Sequence, residues 1–186
     1  MNIANKISIF RILTVPFFIA SLLYYSPERD YLRYLALGIF LLAALSDAAD
    51  GFIARRARQT SHAGRILDPL GDKLLLMSAF IVLSVVKLPL YFPLGVTIIV
   101  ISRDAIILLG AVVIYFLKQK LAVYPTGWGK LTTIFQMLSV ILVLLQWKYS
   151  YVFWSIAVFF TALSGMDYIR RGFKVLYAND TAGVRP

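Results

Sequence analysis

Residues 47–72 read DAADGFIARRARQTSHAGRILDPLGD and set four aspartates into an otherwise apolar chain: Asp47, Asp50, Asp68 and Asp72. The first two aspartates are three residues apart and the last two are four apart, so each pair shares one face of a helix. Small or basic residues continue these two faces: Gly51, Ala54, Arg55 and Gly64. Two facing helices would bring all four carboxylates to one point.

The same stretch resembles the signature of the CDP-alcohol phosphotransferases, D-x2-D-G-x2-A-R-x8-G-x3-D-x3-D. All eight fixed positions match without a gap or a substitution: Asp47, Asp50, Gly51, Ala54, Arg55, Gly64, Asp68 and Asp72. Eight fixed positions at fixed spacing make a specific motif, although it covers only this central part of the chain.

Physical chemistry alone predicts a metal at this cluster. Asp47 lies eight residues before Arg55, about 12 Å along a helix axis, which places the carboxylates within the thickness of a membrane. Four unpaired carboxylates there would repel one another and lose hydration, and a divalent cation is the simplest compensation. Oxygen ligands favour Mg²⁺ or Mn²⁺ over zinc. The alternative is a set of interhelical hydrogen-bonding residues or an ion-translocation site.

The resemblance implies a reaction and roles for these residues. An acceptor hydroxyl attacks the lipid-linked phosphorus of CDP-diacylglycerol, and CMP leaves. Asp47, Asp50 and Asp68 would hold two metal ions, while Asp72 would complete the cluster and act as the catalytic base. The CDP and diphosphate would lie against the remaining motif positions together with one aspartate: Asp50, Gly51, Ala54, Arg55 and Gly64.

Composition predicts a single membrane domain over residues 1–186. The chain is 60% hydrophobic and 15% charged, with a mean hydropathy of +0.79, whereas a soluble domain is about half apolar and a quarter charged. The net charge of +10 would suggest nucleic acid in a soluble protein. Here the basic residues lie mostly between apolar runs, which instead indicates membrane topology and anionic lipid headgroups, with no nucleic-acid partner. There is no cysteine and one histidine, His62, so a Cys-based or His-based zinc site is excluded.

The apolar runs predict an all-α fold with six transmembrane helices at roughly 12–26, 31–55, 65–87, 91–117, 130–147 and 150–170. Residues 1–12 mix polar and apolar side chains and predict a short interfacial helix before the first span, a frayed polar start being the alternative. A disordered tail is expected over about 178–186.

The basic residues predict the orientation. Of the nineteen lysines and arginines, fourteen fall at one end of the spans and Arg103 falls inside a span. The other four fall at the opposite end: Arg29, Arg33, Lys87 and Lys148. This bias places both termini and the loop between the two Asp-bearing helices in the cytoplasm. We expect the protein in the plasma (inner) membrane, with its active site facing the cytoplasm.

Two weaker motifs concern the acceptor alcohol. Residues 129–136 resemble the G-K-x-x-T-x-x-Q element of phosphatidylglycerophosphate and cardiolipin synthases, which makes Lys130, Thr133 and Gln136 candidate acceptor-binding residues; the alternative is an interfacial lysine with two interhelical hydrogen-bonding residues. Arg103 is a fourth candidate because an arginine within a span is costly unless it is paired or binds substrate. Phosphatidylglycerophosphate synthases usually carry a second arginine eight residues further on, where this chain has Ala111.

These observations favour a CDP-diacylglycerol-dependent phosphatidyltransferase of phospholipid biosynthesis, with glycerol 3-phosphate as the first choice of acceptor. Phosphatidylglycerol, the acceptor of a cardiolipin synthase, is the close alternative because of Ala111. A small cation transporter that uses the aspartates as its ion site is the non-enzyme alternative. A homodimer is implied by the family resemblance only.

Overall fold

In the computed structural model, all regular secondary structure of the described residues is helical. These are residues 3–57, 64–118 and 127–177 for the backbone, and residues 10–46, 73–110 and 127–171 for the side chains. The six α-helices are α1 (Ile3–Leu23), α2 (Tyr31–Ala57), α3 (Gly64–Val85), α4 (Leu94–Lys118), α5 (Gly127–Leu144) and α6 (Ser150–Tyr177). A 3₁₀ turn, Pro27–Arg29, precedes α2. The all-α prediction is confirmed, and the predicted tail over 178–186 lies outside the described residues.

The first helix differs from the prediction of a separate interfacial segment. We predicted a short helix over residues 1–12 and a span after it, but α1 runs without interruption from Ile3 to Leu23 and includes Pro16. No glycine or proline lies between residues 3 and 15, so nothing in this part of the sequence ends the helix. Whether its first turns lie at the membrane surface stays a prediction.

The described backbone forms two compact units. The first consists of Met1–Leu94 together with Val140–Ser150, and the second of Gly95–Ser139 together with Tyr151–Pro186. The single-domain prediction for residues 1–186 is not tested by this division and stays a prediction.

In the first unit, α1 packs against both α2 and α3. Its core combines aromatic residues with small ones at helical spacing. Phe18 lies 6.0 Å from Phe40 between ring centroids, and both side chains are fully buried. Ala36 and Ala43, one turn to either side of Phe40, are also fully buried, and such small residues let helix backbones approach closely in a membrane.

Two polar side chains of the first unit, Arg33 and Gln146, form hydrogen bonds between segments that are distant in the sequence. Arg33 is buried and donates from Nη1 to the Leu144 carbonyl oxygen at 2.5 Å, while its Nε and Nη2 donate to the two Asp30 carboxylate oxygens, each at 2.7 Å. Gln146 has a φ of 55°, and its side-chain amide pairs with the Leu90 backbone in both directions, at 2.7 and 3.1 Å. These bonds fix the turn after α5 to the start of α2 and to the turn between α3 and α4.

In the second unit, α5 and α6 meet through a polar seam. The α5 side of this seam is Thr132, Gln136 and Ser139, and the α6 side is Ala157, Thr161 and Ser164, all of them buried. The Gln136 amide nitrogen donates to Thr161 Oγ1 at 3.2 Å. Because lipid supplies no hydrophobic force between helices, small residues and interhelical hydrogen bonds are the usual means of joining them.

The exposed surfaces of the helices are apolar. Two helical segments within the described residues, Gly127–Leu144 and Ser150–Arg171, are long and apolar enough to cross a membrane, and shorter apolar segments lie in α1, α2 and α3. Large side chains such as Phe17, Leu42, Ile98 and Phe159 are each more than 60% exposed, which is a feature of a membrane or interaction surface. These features indicate a membrane protein. That all six helices cross the bilayer stays a prediction.

Candidate active site

The aspartate motif is divided between the two helices of the first unit that pack against α1. The helix α2 carries Asp47, Asp50, Gly51, Ala54 and Arg55, and α3 carries Gly64, Asp68 and Asp72. Each aspartate pair therefore lies within one continuous helix, at the spacing that puts both members on one face. The side chains of all eight residues lie outside those that the structure describes, so the convergence of the four carboxylates stays a prediction.

The described side chains hold no competing metal cluster. Within them, no group of three or more His, Cys, Asp or Glu residues is placed to hold a metal ion. The four motif aspartates remain the candidate metal ligands, and the chemistry of their oxygen donors can be compared with what a metal ion prefers. Carboxylate oxygens are the ligands that Mg²⁺ and Mn²⁺ prefer, so the donor set fits a hard divalent cation.

The G-K-x-x-T-x-x-Q element lies in the first three turns of α5, and its members have different surroundings. Lys130 is exposed and is available to a phosphate. The hydroxyl of Thr133 is half-buried and donates to the Gly129 carbonyl oxygen at 3.1 Å. Gln136 is fully buried in the seam with α6. The structure therefore separates an exposed cation from a buried amide that joins two helices.

Arg103, near the middle of α4, is buried and paired. Its Nη1 donates to Asp104 Oδ1 at 2.6 Å, and its Nη2 donates to Ser164 Oγ of α6 at 2.5 Å. A Cβ added to Gly165 would lie 3.5 Å from Arg103 Cγ, so the α6 backbone passes close to the arginine side chain. A charge inside the bilayer needs a partner, and Asp104 supplies one, so the cost of burying Arg103 does not by itself require a bound substrate.

Sequence reasoning did not identify Thr161 and Ser164, the α6 partners of Gln136 and Arg103. The sequence of α6 contains a pattern that could have identified them. Thr161, Ser164 and Tyr168 recur at three- and four-residue steps in α6, which places these three polar residues on one face. Such a stripe indicates a polar interface with neighbouring helices.

Several known proteins are similar to this chain over most of its length. The CDP-diacylglycerol–glycerol-3-phosphate 3-phosphatidyltransferase of Aquifex aeolicus is 31% identical over 185 residues, which cover 95% of this chain and 99% of the relative. A probable phosphatidylglycerophosphate synthase of Mycobacterium tuberculosis is 30% identical over 190 residues, covering 99% and 85%. The human cardiolipin synthase (CMP-forming) is 32% identical over 198 residues, covering 94% of this chain and 63% of the relative.

The family model of the CDP-alcohol phosphatidyltransferases matches residues 1–163. That range contains the whole aspartate motif in α2 and α3, Arg103 in α4 and the Lys130 element in α5. Motif, helical architecture and similarity over nearly the full length lead to the same assignment, and the resemblance found in the sequence is confirmed. The chain belongs to the CDP-alcohol phosphatidyltransferase family, whose members are transferases of phospholipid biosynthesis.

Proposed function

We propose that this protein transfers the phosphatidyl group of CDP-diacylglycerol to glycerol 3-phosphate and releases CMP. The observation that carries the proposal is the complete set of eight motif positions in α2 and α3. The chain also aligns over 95% of its length with a relative named for this reaction. Family membership favours this enzyme over the cation transporter.

The reaction needs one bond to form and one to break. The acceptor oxygen bonds to the phosphorus of the phosphatidyl group, the bond from that phosphorus to the CMP oxygen breaks, and the acceptor proton must be removed. We assign the proton to Asp72, because a carboxylate within reach of the hydroxyl is a suitable general base. Asp47, Asp50, Asp68 and Asp72 would hold two Mg²⁺ or Mn²⁺ ions. When bound, such ions neutralise the charge that develops on the leaving group.

Small residues and one arginine would receive the CDP moiety. Gly51, Ala54 and Gly64 have little or no side chain, so a nucleotide or diphosphate could approach the helix backbones. Arg55 would contact a phosphate through its fork of donors. Asp50 is assigned both to the metal ligands and to the residues that bind CDP, because it lies between Asp47 and Gly51 on the same helix.

Residues of α4 and α5 would recognise the acceptor. Lys130 is the exposed cation and would bind the phosphate of glycerol 3-phosphate, and Arg103 would add a guanidinium that Asp104 and Ser164 hold in place. Thr133 and Gln136 are the weaker members of this assignment. The hydroxyl of Thr133 is used within its own helix, and the Gln136 amide nitrogen bonds to Thr161.

Phosphatidylglycerol is the second candidate acceptor, which would make the protein a cardiolipin synthase. Two observations favour it: position 111 is alanine, and the human cardiolipin synthase aligns with 94% of the chain. A lipid acceptor would carry one phosphodiester charge where glycerol 3-phosphate carries a phosphomonoester, and would therefore need fewer cationic side chains.

The membrane setting follows from the charge bias. Six spans, with an interfacial first segment, would place the active site and both termini at the cytoplasmic face of the plasma membrane. There the acyl chains of CDP-diacylglycerol stay in lipid while the nucleotide stays in water. The proposal also includes one domain over residues 1–186, which rests on length and composition, and a homodimer, which rests on the family resemblance.

One experiment tests the acceptor assignment. Purified protein is incubated with CDP-diacylglycerol and Mg²⁺ or Mn²⁺, and with either glycerol 3-phosphate or phosphatidylglycerol, and the lipid formed with CMP is identified by mass. We expect phosphatidylglycerophosphate, and no product when EDTA removes the metal. Cardiolipin formed from phosphatidylglycerol, with glycerol 3-phosphate left unused, would replace the first assignment by the second.

A further inference from the structure

Several buried polar atoms in the second unit have no hydrogen-bond partner among the described residues. Among them are Arg103 Nε, Gln136 Oε1, Asp167 Oδ2 and Tyr168 Oη. Buried polar groups in folded proteins are nearly always bonded, so each exception requires a partner such as a water or a ligand. The tyrosine differs from the other three, because its hydroxyl is its single polar atom and makes no bond within the described part of the chain.

The Tyr168 ring is held in place by a glycine on the neighbouring helix. A Cβ added to Gly110 of α4 would lie 3.2 Å from Tyr168 Cε1 and 3.9 Å from its Oη. A glycine at position 110 is therefore what allows the ring to lie this close to α4. The Tyr168 ring therefore lies against the α4 backbone, and its hydroxyl oxygen is buried.

The hydroxyl lies on the same pair of helix faces as Arg103. On α6, Tyr168 is one turn after Ser164, which accepts a hydrogen bond from Arg103. On α4, Gly110 is seven residues after Arg103, which is two turns along the same face. The helices α4 and α6 thus run in the same direction here, and Tyr168 is one or two turns nearer their C-terminal ends.

Gly110 immediately precedes Ala111, where phosphatidylglycerophosphate synthases usually carry a second arginine. On the described part of α6, the Tyr168 hydroxyl is the polar group that lies within 4 Å of a Cβ built on Gly110. A neutral O–H donor bonds to a phosphate or hydroxyl oxygen without adding charge. It is suited to a phosphodiester as well as to a phosphomonoester.

We infer that Tyr168 is a specificity-determining residue whose hydroxyl donates a hydrogen bond to a phosphate oxygen of the acceptor, beside Arg103. The inference rests on the proposed function, because it requires an acceptor that binds in the second unit. The phosphate oxygen belongs either to glycerol 3-phosphate or to phosphatidylglycerol, and the assay below uses both.

The test is Tyr168→Phe, which removes only the hydroxyl, with Tyr151→Phe as the matched control at an exposed tyrosine of the same helix. Full-length protein is assayed with CDP-diacylglycerol and each acceptor. We expect Tyr168→Phe to raise the KM of the acceptor that the wild type consumes about 5- to 10-fold, the effect of one lost hydrogen bond. The KM of CDP-diacylglycerol and the behaviour of Tyr151→Phe should not change.

A second pair of variants moves the ring and keeps the hydroxyl. Gly110→Ala places a methyl group 3.2 Å from the ring, whereas Gly95→Ala in the same helix meets no atom within 4 Å. We expect Gly110→Ala to raise the acceptor KM and Gly95→Ala to leave it unchanged.

An unchanged acceptor KM in Tyr168→Phe, together with a raised Tm, would overturn the inference, because removal of an unsatisfied buried hydroxyl from a structural site stabilises the protein. In that case the wild type still consumes its acceptor and the proposed function stands. If the wild type consumes neither acceptor, the proposed function and this inference both fail.

Discussion

Asp72 has a position in the motif that separates it from the other three aspartates. It lies one turn after Asp68 in α3, at the end of the motif further from the segment that joins α2 to α3. A base needs a titratable carboxylate, whereas an amide of the same shape still offers one oxygen to a cation. We therefore predict that Asp72→Asn lowers turnover by about 10² or more and retains most of the metal-dependent binding of CDP-diacylglycerol.

The matched variants for this prediction are Asp47→Asn and Asp68→Asn, which should weaken nucleotide binding as well as turnover. Titration of CDP binding against Mg²⁺ in each variant makes the comparison. If Asp72→Asn loses metal-dependent binding as severely as Asp68→Asn, Asp72 is mainly a metal ligand and the base must be sought elsewhere.

Lys130 supports a second prediction at the scale of one residue. It is exposed at the start of α5, where an ammonium acts as a point charge for a phosphate. Lys130→Ala should raise the KM of glycerol 3-phosphate by about tenfold or more, the effect of one charge-assisted hydrogen bond. The KM of CDP-diacylglycerol should change far less. Lys148→Ala, in the turn after α5, is the control, and equal losses for both substrates would contradict the assignment of Lys130 to the acceptor.

At the scale of helices, the ion pair between Asp30 and Arg33 at the start of α2 gives a pH-dependent contribution to stability. The hydrogen bonds from Arg33 hold the pKa of Asp30 below its ordinary value of 3.8; desolvation opposes this effect, and the positive charge of Arg33 adds to it. Because the folded pKa is lowered, the stabilisation is fully present above the unfolded pKa and is lost as the pH falls through the folded pKa.

We predict that Asp30→Asn removes this part of the acid dependence. The Tm of the detergent-solubilised wild type should fall more steeply than that of Asp30→Asn as the pH is lowered from 6 to 3. Glu28→Gln is the control variant, because Glu28 is the acidic residue of the 3₁₀ turn that precedes Asp30. Parallel wild-type and Asp30→Asn curves would show that the pair contributes nothing to the folded state.

Helix positions were predictable from the sequence, and contacts between helices were not. The breakers Pro27, Pro89 and Lys148 follow the uninterrupted apolar runs, and helix ends lie within a few residues of them. By contrast, Arg33 was assigned only to the topology count, yet its partner Leu144 lies 111 residues away. Neither local propensity nor periodicity contains information about such a pairing. For the same reason the Arg103 stretch was recognised as costly, while its partner Ser164 was missed.

At the scale of the whole molecule, the testable quantity is orientation. The chain has no cysteine, so each engineered thiol is the single reactive one. We predict that cysteines at Arg58 and Lys120, both outside the described residues, resist an impermeant thiol reagent in intact cells, while a cysteine at the exposed Lys148 reacts. Permeabilised cells, in which all three should react, provide the control. Labelling at position 58 from outside would reverse the orientation and move the active site to the other face.

The first unit is built from two parts of the chain, and this sets a time for its completion during synthesis. Residues 95–139 are made between Leu94 and Val140, which takes a few seconds at about 5–20 residues per second. During that interval Arg33 has no Leu144 carbonyl to bind, and the Leu90 backbone has no Gln146. Arg33 then has the Asp30 carboxylate as its partner. The start of α2 therefore gains its attachment to the end of α5 only after α5 has been made.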